Sequence, residues 1–153
     1  MAAVTVQSEA VKSGLRPDDR RAGVVLCRTG YYKAAAALDA NSIIQMVPVP
    51  KGAQILDIQM FVGDSGTGRT FDVGDGGLVD RFLDGVDPSS GPIRSDFHED
   101  GDMACVENYE YTVYDTIDVK WLGDTVELGQ TIHMNVFYKM GDTIEDEIAV
   151  YTT

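Results

Sequence analysis

The chain has 153 residues, enough for one domain with a substantial core, and its hydrophobic (44%) and charged (24%) fractions are those of a globular protein. Twelve Lys and Arg stand against 25 Asp and Glu, giving a net charge of −13 and a pI near 4.3. That field repels nucleic-acid phosphates and anionic membranes, so neither is expected as a partner of the folded body.

The first residues, "MAAVTVQSEAVKSG", lack the charged start and apolar stretch of a signal peptide. No run approaches the ~18 apolar residues of a membrane-spanning helix. A soluble protein made in the cytoplasm is expected. The two cysteines, Cys27 and Cys105, form no CxxC pair and supply neither a disulfide framework nor a zinc site. They read as small buried residues of a reduced compartment.

Residues 1–21 are poor in large apolar side chains and end in "RPDDRR", which places Arg16, Arg20 and Arg21 close together. The segment reads as an extended N-terminal arm, either solvated or docked on a partner through those arginines. Residues 22–153 read as one β-sandwich domain.

From Ala22 onward, short β-branched and aromatic runs alternate with turn residues about every ten positions. "AGVVLCRTGYY" is a strand expected to break at Gly30. "KAAAALDA" has helical propensity but is short, and a strand or irregular edge is preferred for it. "SIIQMVPVPKGA" is a strand that Pro48 and Pro50 confine to an edge or end. In "QILDIQMFVGD", Leu56, Ile58, Met60 and Val62 make a wholly apolar face and are assigned to the core.

"GDSG", residues 63–66, matches the serine motif of chymotrypsin-like proteases, but both histidines, His98 and His133, lie downstream rather than upstream. No triad can be assembled in that order, and a Gly/Ser-rich hairpin loop accounts for the residues.

"TFDVGDGGLVDRFLDG", residues 70–85, holds Asp72, Asp75, Asp80 and Asp84 among four glycines. EF-hand spacing fails: from Asp72 the third and fifth positions are Gly74 and Gly76, and from Asp75 they are Gly77 and Val79. An irregular calcium site is the alternative left open. The preferred reading is a strand exit with Phe71 and Val73 facing inward, then a glycine-hinged reversal. One helical turn follows, pinned by Leu78 and Phe82 at i and i+4, with Arg81 pairing locally with the aspartates.

"SDFHEDGDM", residues 95–103, reads as a solvated acidic loop, since one histidine gives no ligand spacing. "YEYTVYDTIDVKW" alternates, with Ile117, Val119 and Trp121 opposed to Thr116, Asp118 and Lys120. "QTIHMNVFYKM" puts Ile132, Met134, Val136 and Tyr138 on one face. His133, without an obvious partner, lies on the other. "EIAVYTT" reads as a last strand. Many short strands at this spacing predict an all-β fold, an antiparallel sandwich or barrel. No catalytic set emerges, so no enzyme and no cofactor are expected.

The residues "VPVPKGAQILDIQM", "TFDVGDGGLVDRFLDG" and "IHMNVFYKM" together resemble the small β-sandwich virion proteins of tailed bacteriophages, capsid decoration (cement) proteins among them. The resemblance rests on the turn Pro50-Lys51-Gly52, the stretch Val73 to Phe82, and a strand ending in Tyr138, and covers residues 22–140. It implies a jelly-roll-like sandwich on the exterior of the phage capsid, with the major capsid protein as partner and a homo-oligomer, favourably a trimer. On this view the protein is made in the host cytoplasm, and Arg16, Arg20 and Arg21 of the arm are candidate capsid contacts. A tail or head-fibre component is the nearest alternative. A carbohydrate- or calcium-binding recognition module is the alternative from another class.

Overall fold

The structure is a computed structural model and describes residues 2–14, 24–63, 69–95, 109–123 and 125–141. Arg16, Arg20, Arg21, most of "GDSG", His98 with its acidic segment, Cys105 and "EIAVYTT" lie outside the described residues.

The described strands are β1 (Thr5–Gln7), β2 (Leu26–Lys33), β3 (Ile43–Val49), β4 (Ala53–Gly63), β5 (Thr70–Gly74), β6 (Leu83–Val86), β7 (Ile93–Arg94), β8 (Asp115–Leu122) and β9 (Thr131–Met140). One short helix, α1, spans Glu9–Lys12, and a 3₁₀ turn spans Pro88–Ser90. The strands form two sheets, in the orders β1-β3-β8-β5-β6 and β2-β9-β4-β7. Setting β1 aside, the antiparallel pairs nest: β2 with β9, β3 with β8, β4 with β7, and β5 with β6. A long hairpin rolled on itself in this way is the jelly-roll topology. The apex of the roll is the segment between β5 and β6, which is the aspartate–glycine stretch.

Period-two alternation carries most of the core. Ile117, Val119 and Trp121 of β8 are fully buried, as are Ile132 and Val136 of β9, with Met134 and Tyr138 at 1% and 2% exposure. Phe71 and Val73 of β5 face the same interior, and the Trp121 ring stacks against Phe71 with centroids 6.1 Å apart. Each such large apolar side chain contributes about 1.5–3 kcal/mol on burial. The Pro50-Lys51-Gly52 turn joins β3 to β4, with Gly52 at φ +86°. Pro48 lies beyond Gln45, the last β3 residue paired with β1, so its missing N–H costs no β1–β3 ladder bond.

Four sequence expectations are corrected. β2 does not break at Gly30 but runs through it, because the two sheets close together there. A Cβ at Gly30 would stand 2.4 Å from the Met46 carbonyl oxygen of β3. In β4, Ile55 is fully buried and Leu56 is only half-buried, since a bulge between Ile55 and Asp57 reverses the alternation at that point. "LVDRF" forms a single turn, closed by the Arg81 N–H on the Leu78 carbonyl at 3.4 Å, rather than a helical one: Phe82 is 1% exposed, but Leu78 is 45% exposed and pins nothing. Cys27 is exposed on β2, not buried. "KAAAALDA" is the irregular edge preferred for it: Lys33 ends β2, and the chain continues irregularly to an isolated bridge from Leu38 to Val126.

The segment read as an arm is tied to the body over its described part. β1 pairs in parallel with β3, from Thr5 beside Ile43 to Gln7 beside Gln45. Ser8, fully buried, donates its hydroxyl to the Met46 carbonyl, while its backbone N–H bonds to the Gln45 carbonyl at 2.7 Å. Its oxygen also caps α1 through the Val11 N–H.

Candidate interaction surfaces

The apex of the roll is built around one carboxylate. Asp75, 1% exposed, accepts the backbone N–H groups of Gly77 and Leu78, both at 2.9 Å, through Oδ1. Its Oδ2 accepts Nε of Arg81 at 2.5 Å and the Tyr111 hydroxyl at 2.9 Å. The Arg81 guanidinium lies 3.8 Å from the centroid of the Tyr109 ring, a cation–π contact, and Tyr109 meets Tyr111 edge-on. Burial alone would raise the Asp75 pKa, but the Arg81, Leu78 and Tyr111 hydrogen bonds and the Arg81 charge outweigh it and hold it below the usual range. Tyr111 shifts upward, through burial first and then the Asp75 charge. All of the Asp75 oxygens' good directions are used by the protein itself. The cluster locks a turn.

Further carboxylates lie on the outer face of the β1-β3-β8-β5-β6 sheet. Asp72, opposite Lys120, accepts the Gly85 N–H at 2.9 Å and has a raised pKa, chiefly from burial. Asp118, opposite Gly74, is 6% exposed because the Leu78–Val79 backbone folds over Gly74. Burial, then the charges of Asp115 and Asp75, push the Asp118 pKa up to about 7 against a hydrogen bond from the Thr116 hydroxyl. Among the described residues, no group of three or more His, Cys, Asp or Glu is arranged to hold a metal ion.

The outer face of the other sheet has a different character. Register places Tyr31 of β2 and Phe61 of β4 on either side of His133 of β9. Tyr31 is 37% and Phe61 50% exposed, and the Tyr31 and His133 rings stand 4.5 Å apart. The histidine that lacked a partner in the sequence therefore sits in a row of three rings. The next row is polar: Thr29, Asn135, Gln59 and Arg94, with the Thr29 hydroxyl donating to Asn135 at 2.7 Å. Beyond it come Cys27, Phe137 and Asp57, and Asp57 accepts Nε of Arg94 at 2.9 Å. Alternation alone could mark Phe61 and His133 as outward, but only register across strands 70 residues and more apart could align them.

No family model matches the sequence, and no curated protein matches it. Solved structures do. A chain of the capsid of Ralstonia phage GP4 is similar with a TM-score of 0.72 and 20% identity, over 90% of this chain and 98% of that one. A chain of the Cyanophage Pam1 capsid asymmetric unit is similar with a TM-score of 0.63 and 13% identity, over 82% of this chain and 91% of that one. The class defined here is an all-β sandwich of jelly-roll topology. Its fold is shared, across nearly the whole chain, with chains from phage capsids.

Proposed function

We propose that the chain is a structural protein of a bacteriophage virion and serves as a capsid decoration (cement) protein on the exterior of the head. The observation that carries the reading is the near end-to-end fold likeness to a chain of the Ralstonia phage GP4 capsid, 90% of one and 98% of the other. A fold by itself does not dictate a role, so the site must agree. It does: the buried carboxylate cluster locks a turn, and Tyr31 and Phe61 leave an exposed aromatic row on a sheet face, suited to protein contact. The net charge of −13 suits a position away from packaged DNA. The major capsid protein is the partner, and Arg16, Arg20 and Arg21 are its candidate contacts within the N-terminal segment.

Particles assembled without this chain provide the test. They are expected to release DNA at lower temperature than complete particles, and purified protein added back is expected to restore the difference. Particles that bind no added protein, or whose release temperature is the same with and without it, would overturn the cement role.

A further inference from the structure

We propose that the turn from Gly76 to Asp80 is a pH-gated lid, shut over Asp118 while that carboxyl is neutral and lifted when it ionises. The proposal stands on the geometry of the apex, not on the capsid reading, and concerns a local opening within an intact fold.

The first observation is how the carboxyl is covered. Asp118 lies on the outer face of its sheet, yet it is only 6% exposed. Its neighbour across the ladder in β5 is Gly74, which has no side chain. The turn fills that gap with backbone: a Cβ at Gly74 would meet the Leu78 carbonyl oxygen at 2.1 Å and the Val79 carbonyl oxygen at 2.5 Å. The lid therefore brings carbonyl oxygens to the position beside the carboxyl. A carboxylate can only accept hydrogen bonds, whereas a carboxylic acid can also donate one, so the neutral form suits this roof.

The second is the charge around it. On β8, Asp115 and Lys120 flank Asp118, and the Thr116 hydroxyl donates to it at 2.6 Å. β5 adds Asp72, and β3 adds the neutral Gln45 opposite Asp118. The turn itself carries Asp75, Asp80 and Arg81, with the Tyr111 hydroxyl bonded to Asp75. Each cation faces an acid of its own: Arg81 is held by Asp75, and Lys120 stands opposite Asp72. The Asp118 pKa is accordingly pushed up to about 7, by burial first and then by Asp115 and Asp75.

The third is that the lid can move while its base stays. Gly76 and Gly77, both exposed, give its leading side a backbone free to pivot. Leu78 is already 45% exposed, so lifting it uncovers little apolar surface. Oδ1 of Asp80 is buried with no hydrogen-bond partner among the described residues, and opening returns it to water. The lid is held down by the Gly77 and Leu78 N–H groups on Asp75 and by the Asp75 N–H on the Leu78 carbonyl. The base is fixed separately, by Arg81 on Asp75 and by the Phe82 N–H on the Val73 carbonyl at 2.9 Å.

Amide hydrogen exchange of the full chain, followed residue by residue by NMR, tests the proposal. With a pKa of about 7 under the lid and about 3.9 in the open form, the opening constant should rise about a hundredfold from about pH 5 to about pH 8 and then level off. Protection of the Gly77 and Leu78 amides is expected to fall by that ratio. Core amides such as Val136 should stay better protected at every pH, since the fold outlasts the open lid. Asp118→Asn, neutral throughout, should flatten the fall. Thr116→Val, which removes a donor to the ionised form, should move the levelling-off to higher pH. Asp115→Asn, which removes a like charge, should move it to lower pH. Lid amides protected as well as the core, or a protection that does not fall with pH, would overturn the proposal. So would the same fall in Asp118→Asn, or shifts of one sign in Thr116→Val and Asp115→Asn.

Discussion

Arg81 closes the apex of the roll on Asp75: Nε meets Oδ2 at 2.5 Å and Nη2 meets Oδ1 at 3.3 Å, around a carboxylate only 1% exposed. An exposed pair of this kind would matter little, but removing one member of a buried pair leaves a charge uncompensated. Arg81→Ala is therefore expected to lower unfolding stability by about 3–5 kcal/mol in urea titration. Arg81→Lys should recover only part, because an ammonium loses the paired N–H groups and the planar contact with Tyr109. Tyr111→Phe, which leaves Asp75 one donor short, should cost about 1–2 kcal/mol.

Among the described residues, Gly30 and Gly74 mark the two places where the backbone leaves no room for a side chain. A Cβ at Gly30 would meet the Met46 carbonyl of the opposite sheet at 2.4 Å, and one at Gly74 the Leu78 carbonyl at 2.1 Å. Neither contact can be relieved by rotating a flexible side chain. Gly30→Ala and Gly74→Ala are each expected to cost about 3 kcal/mol or somewhat less, as overpacked sites do, read as a lowered melting temperature. Gly30→Ala should act by parting the sheets and Gly74→Ala by lifting the turn, so only the second should expose Asp118 to titration near its ordinary range.

Asp118 gives a pH dependence of definite sign. Its pKa is about 7 in the folded chain, through burial and the neighbouring charges of Asp115 and Asp75, against about 3.9 unfolded. Between these values the folded state holds the extra proton, so stability falls as pH rises from about 4 to about 7. Asp75 has the opposite sign: its folded pKa is lowered, so its contribution is present above about pH 4 and is lost as pH falls through the folded value. Asp118→Asn, which keeps the acceptor for Thr116, is expected to raise stability by about 2 kcal/mol at pH 8 and to change it little at pH 4. An equal effect at both pH values would refute this assignment.

How far the sequence spoke depended on whether a feature was local. Alternation in "TIDVKW" and "TIHMNVFYKM" named the buried residues of β8 and β9, because a side-chain period of two is set by the backbone. The same rule misplaced Ile55 and Leu56, since one bulge residue inverts the pattern and leaves no mark in composition. Leu78 and Phe82 have helical spacing, yet Asp75 takes the N–H groups of Gly77 and Leu78, and the chain makes one turn closed by Arg81 on Leu78 and goes no further as a helix. The three residues of β1 carry too little pattern to announce a parallel pairing with β3. The aromatic row was the least legible feature. Tyr31, Phe61 and His133 become neighbours only when β2, β9 and β4 are aligned.

The most direct measurement of the central claim is the copy number of this chain in purified, intact phage particles, counted by quantitative mass spectrometry against the major capsid protein. A decoration protein is predicted at a copy number on the scale of the major capsid protein itself. A few copies per particle, or none, would contradict the account.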